Sequence, residues 1–125
     1  METIGWVLAA LAGLLHVYIF VLEALRFDDP GTRAVFRIEP EHADAVRPWA
    51  WNQGWYNLFL AVGALAGAGF GLADHHGTSV PLVVLACGSM TAAALVLVLT
   101  DRRMQRSALL QGTIPTLALL ALALG

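Results

Sequence analysis

The residues in this chain able to do chemistry are few, and they cluster. His16 and Glu23 stand in one long apolar segment, Asn52, Gln53, Tyr56 and Asn57 near the start of a second, and Gln111 in a third. A polar side chain in an apolar segment is costly, so each of these demands a partner or a task. A Glu/His pair can hold and pass a proton, which would serve solute movement or acid–base work on a hydrophobic substrate. Amides and a phenol suit recognition of a polar head group. His16 precedes Glu23 by two helical turns, which puts it about 10 Å away on nearly the same face. Asn52 with Tyr56 and Gln53 with Asn57 form adjacent i,i+4 rows that together cover roughly 140° of a helix. All seven are expected at one end of the molecule, lining a polar chamber in the inner leaflet.

The elements that must position them make up most of the chain. Of 125 residues, 58% are hydrophobic and 13% charged, with a mean hydropathy of +0.71. A soluble domain is about a quarter charged, so this composition fits a bilayer and not water. Helices are expected over 4–25, 51–73, 80–100 and 107–124, each near the ~20 residues that cross a hydrocarbon core. Strands are disfavoured because the apolar runs are unbroken and because backbone in lipid must satisfy itself within the segment. The expectation is therefore all-α: one integral membrane domain, 1–125, folded as a four-transmembrane-helix bundle. The long connection 26–50 turns at Asp28-Asp29-Pro30-Gly31 and carries a short interfacial helix at 40–47, ended by Pro48. Trp49, Trp51 and Trp55 then sit at head-group level as an aromatic belt. Gly63, Gly67 and Gly71 repeat at the spacing that lets helices approach closely, within the chain or across a homodimer. Pro115 removes the donor to the Gln111 carbonyl and is expected to kink the last helix.

All seven basic residues are arginines: Arg26, Arg33, Arg37 and Arg47 after the first span, and Arg102, Arg103 and Arg106 after the third. Four crossings put both groups on one side, and the other side has none. The positive-inside rule then predicts both Arg-bearing loops in the cytoplasm and both termini outside, in a multi-pass plasma membrane protein. After orientation, the natural role of these arginines is contact with anionic lipid. A net charge of −2 without a basic tract excludes a nucleic-acid binder. The lone Cys87 excludes an internal disulfide and reads as packing. Adjacent His75 and His76 make a poor metal shell, and neither a metal nor a cofactor is expected.

The run Asn52-Gln53-Gly54-Trp55-Tyr56-Asn57-Leu58-Phe59-Leu60-Ala61 resembles the NQGxYNxFLA signature of the domain-of-unknown-function 1304 family. His16 with Glu23 is similar to that family's His-x6-Glu pattern, Phe36 to its first-loop Phe, and Gln111-Gly112 with Pro115 to its last-helix element. Phe27 departs from the pattern, which has Trp there. The resemblance implies a small four-helix protein of the bacterial plasma (inner) membrane, and it implies no reaction, substrate or partner.

Three functions fit these residues. The first is binding or transport of a small or amphipathic molecule in a pocket lined by His16, Glu23, Asn52, Gln53, Tyr56, Asn57 and Gln111. A transporter of this size would need a homodimer to build two gates. The second is an intramembrane isomerase or cyclase, with Glu23 as acid or base, His16 as its partner, and Asn57 and Gln111 stabilising developing charge. No serine or cysteine falls predictably beside His16, which disfavours a hydrolase. The third is a non-catalytic accessory subunit whose polar cluster fixes the fold or binds a partner helix.

Overall fold

The computed structural model describes Met1–Gly125 and is wholly helical. Helix α1 (Glu2–Phe20) runs on into a single π-turn (Val21–Leu25); α2 (Pro30–Val35) is short; α3 (Ala43–Leu72), α4 (His76–Thr100) and α5 (Gln105–Ala123) are long. Four of these segments are long and apolar enough to cross a membrane. They form a closed ring in which α1 packs on α3, α3 on α4, α4 on α5 and α5 on α1, with little contact across the diagonal between α1 and α4. Large side chains such as Leu14, Phe59, Leu85 and Leu99 point outward, as lipid-facing positions must when tails are as apolar as the side chains themselves.

The centre is built mostly from small residues. Ala9, Ala12, Ala64, Ala68, Ala86 and Ala118 surround Trp6, Val83, Cys87 and Met90. Without a hydrophobic drive between helices in lipid, close backbone approach and dispersion must hold the bundle, and small residues allow both. The glycine repeat is used inside the chain: a Cβ on Gly67 would strike Val83, one on Gly71 would strike Trp6 and Ser79, and one on Gly63 would press on Ala86. At the same level the buried Ser79 hydroxyl donates to the Gly67 carbonyl at 2.6 Å, tying α4 to α3. Such bonds in membrane bundles average about 0.6 kcal/mol. Ser79→Ala is therefore expected to cost about 0.6 kcal/mol in a denaturant titration in mixed micelles.

Two local expectations change. The separate interfacial helix at 40–47 is replaced by a 3-10 turn at Pro40–His42, after which α3 runs without a break from Ala43 through Pro48. Pro48 lies little more than one turn into the helix, so it orphans only the Asp44 carbonyl, near the end where water can reach it. By the same logic α4 begins at His76 and carries Pro81 inside its second turn. In α5 the helix is continuous through the buried Pro115, and Thr116 Oγ1 lies 2.7 Å from the Gly112 carbonyl and 3.1 Å from Thr91 Oγ1. His75 and His76 turn to different aromatic partners, Phe70 and Trp6.

The long connection folds back on the start of α3. Phe27, Ala43 and Ala50 form a second small core, flanked by Ile38 and Val46. Arg47 donates to Asp28 and Asp44 and lies over the Phe27 ring, 5.6 Å from its centroid. Arg37 takes the left-handed conformation (φ 54), unusual for a residue with a Cβ. Its Nε donates to the Arg103 carbonyl at 3.1 Å, which joins the two Arg-bearing connections. Between α4 and α5, Asp101 accepts from the Arg103 guanidinium and backbone N–H. Those bonds hold its carboxyl below the usual range.

Candidate functional site

Glu23 sits in the π-turn that ends the first span, where the Arg26 N–H reaches back five residues to the Val21 carbonyl at 2.8 Å. Single π-turns inside α-helices are rare and recur at functional sites. The turn widens the helix at the level of Glu23. Across the interface α3 presents Gly54, where a Cβ would meet Ala24 Cβ and N at 3.0 and 3.1 Å and Glu23 Cβ at 3.3 Å. A Cβ here would require the π-turn to draw back by a few tenths of an ångström, so glycine suits this close approach. That approach brings Asn57, one turn further along α3, against the carboxylate: its Nδ2 donates to Glu23 Oε1 at 2.5 Å and also lies 3.2 Å from the Gln53 carbonyl.

Asn57 is the one member of the α3 polar set that is buried; Asn52, Gln53 and Tyr56 are exposed. The other Glu23 oxygen has no hydrogen bond within the protein and is not sealed from the surface. Glu23 borders two adjoining clefts. One, of about 490 Å³, has Phe27, Phe36 and Trp49 as aromatic walls and Asn52 and Gln53 as amides. The other, of about 370 Å³, lies between Glu23, Phe27, Trp51 and the Arg47–Asp28 pair. Beyond them Phe20, Trp51, Trp55 and Phe59 form a chain of ring contacts along the outside of α1 and α3.

The seven residues expected to line one chamber are divided among separate places. His16 is 2% exposed, and its Nδ1 lies 2.9 Å from the Ala12 carbonyl, one turn back in its own helix. That bond makes Nδ1 the donor, and no hydrogen bond joins the ring to Glu23. Gln111 opens on a different, narrow crevice beside Leu15, Tyr18 and Ile19. Tyr56 points away from the bundle. Neither His16 nor Gln111 is hydrogen-bonded to Glu23 or lines either cleft that Glu23 borders, although Phe36 lines both the Gln111 crevice and the larger of those clefts. What is assembled is Glu23 with Asn57, and next to them Asn52 and Gln53.

Phe27, Phe36 and Trp49 were not among the expected site residues. A signal for Phe27 and Trp49 was present, since both flank the Arg-rich connection at head-group level. Nothing in the residue spacing foretold that the connection would fold back and turn them toward Glu23.

The fold and this cluster define a small multi-pass helical membrane protein with a carboxylate–amide pair at one end of its bundle. Residues 10–123 match the family described as Protein of unknown function (DUF1304), and the chain belongs to that family. Comparison with curated proteins and with solved structures gave no match.

Proposed function

We propose that this protein binds an amphipathic molecule at the membrane surface, with the polar head in the cleft beside Glu23 and the tail along the outer face of α1 and α3. One observation carries the reading. A carboxylate held by a buried amide leaves its second oxygen open toward a concave, aromatic-walled space. Pockets of a few hundred Å³ with apolar walls and a few convergent polar groups are the usual form of small-molecule sites. The positive-inside rule would put this end, with all seven arginines, at the cytoplasmic face of a plasma membrane. A molecule arriving from the inner leaflet then meets the tryptophans first and Glu23 last.

The test is photolabelling in nanodiscs, using single-chain amphiphiles with a diazirine beside an ammonium, glycerol or phosphate head. Saturable labelling by at least one of them within residues 23–28 and 36–53 is the expected result. Labelling that excess unlabelled amphiphile does not compete, or that concentrates in the groove between α4 and α5 beside Thr91 and Thr113, would exclude this site.

A further inference from the structure

We infer that the head group bound beside Glu23 is an organic cation, a quaternary or protonated ammonium. This rests on the cleft being a ligand site and adds the ligand's charge. Glu23 is the only charged residue lining the larger cleft. The one cation bordering the smaller cleft, Arg47, is already engaged by Asp28 at 2.5 Å and Asp44 at 2.7 Å. Those three groups carry a net negative charge together, so neither cleft has an unpaired cation in its lining; of the arginines just outside, Arg26 faces Asp29 at 3.8 Å and Arg37 donates to the Arg103 carbonyl. An anion in the larger cleft would meet the Glu23 carboxylate with no cation in the lining to offset it.

The walls make the same selection. Phe27, Phe36 and Trp49 surround the space that Glu23 closes, and the faces of aromatic rings attract cations while their edges do not. The Phe27 ring already accepts one: the Arg47 guanidinium carbon stands 5.6 Å from its centroid. A carboxylate with aromatic faces is the arrangement that recognises substituted ammonium ions, whose alkyl groups cannot donate strong hydrogen bonds and so need apolar contact around the charge. The two amides, Asn52 and Gln53, lie at the cleft's edge, where a hydroxyl or ester beside the ammonium would find them. Trp49 is 75% exposed, an uncommon placement for so large a ring unless a ligand or the head-group layer covers it.

The experiment is calorimetric titration of the full-length protein in maltoside micelles, which carry no ammonium group, with three water-soluble probes that share one ring: benzyltrimethylammonium, benzyl alcohol and benzyl phosphate. The cation is expected to bind at least about tenfold more tightly than either other probe. Glu23→Gln keeps an acceptor for Asn57, so the bundle should survive, and it should weaken cation binding about tenfold. Trp49→Leu, which leaves every charge in place, should weaken it about threefold to tenfold. Equal binding of the cation to wild type and Glu23→Gln would overturn the inference, as would benzyl alcohol or benzyl phosphate binding as tightly as the cation. If those probes bind and Trp49→Leu weakens them, the cleft remains a ligand site and only its charge preference is wrong. If no probe binds and the amphiphile labels also miss residues 23–53, the cleft is no ligand site and both conclusions fall.

Discussion

Gly71→Ala should unfold this protein far more readily than Gly69→Ala, although the two glycines are two residues apart on one helix. A Cβ on Gly71 would collide with the Trp6 ring and stand 2.7 Å from Ser79 Oγ, whereas a Cβ on Gly69 meets nothing within 4 Å. Trp6 is 3% exposed and fills the middle of the core cluster, and Ser79 is fully buried. Neither neighbour is the free end of a flexible chain, so relief requires α1 or α4 to move away from α3. Overpacking of this kind costs typically 1–3 kcal/mol and occasionally more, and Gly71 should lie at the upper end of that range. Gly69→Ala should be neutral or stabilising by up to about 1 kcal/mol, because alanine restricts the unfolded chain and favours the helix. Denaturant titration in mixed micelles reads both values. Equal stability of the two variants would mean that α3 does not present this face to Trp6.

The second large effect concerns the carboxylate. Asn57→Leu removes the donor to Glu23 Oε1, the carboxylate's only hydrogen bond within the protein. An acceptor left unsatisfied costs about 1–3 kcal/mol, and more when it is charged. Access to the cleft moderates that cost by letting water replace the amide, so about 2 kcal/mol is expected. Glu23→Gln should change stability by less than about 1 kcal/mol, since its carbonyl can still accept from Asn57. The reverse deletion, Glu23→Leu, leaves Asn57 Nδ2 the Gln53 carbonyl as an acceptor. It should therefore be milder than Asn57→Leu.

The four spans were legible in the sequence because the constraint that makes them is severe. A bilayer demands some twenty apolar residues and an internally bonded backbone, and few other patterns satisfy both. The grouping of polar residues was not legible. Spacing gives the angle between two residues on one helix, and it does not give the helix's rotation against its neighbours. On α3 the rotation is set by Gly54, Ala61, Ala64, Gly67, Ala68 and Gly71, which are all buried. Asn57 falls on that small-residue face and is carried inside, while Tyr56, about 100° away, is carried outside. A reading that let the small residues choose the face would have separated Asn57 from Tyr56. The π-turn is another matter: Val21–Leu25 contains neither proline nor glycine, and its partner signal, Gly54, lies on a different helix. His16 and Glu23 share a face on an ideal α-helix, but in the structure their hydrogen bonds go to different partners, the Ala12 carbonyl and the Asn57 amide.

Pro48 shows how a sound local rule can be overridden. Proline ends helices when the lost bond and the ring clash fall in a buried interior. Here the loss falls near the helix start, and Ala43 and Ala50 pack with Phe27 on either side of it, so continuing the helix preserves a core that stopping would break.

The central claim is that Glu23 and Asn57 are kept for a ligand and not for the stability of the bundle. The most direct measurement is the unfolding free energy, in ligand-free micelles, of the Glu23→Leu/Asn57→Leu double variant beside Asn57→Leu and wild type. Replacing a partly buried polar pair by apolar residues of similar size is often neutral or stabilising, whereas removing one partner is not. The double variant should therefore recover the stability lost in Asn57→Leu and match or exceed wild type. A double variant less stable than Asn57→Leu would show that the pair holds α1 to α3, and would contradict the claim.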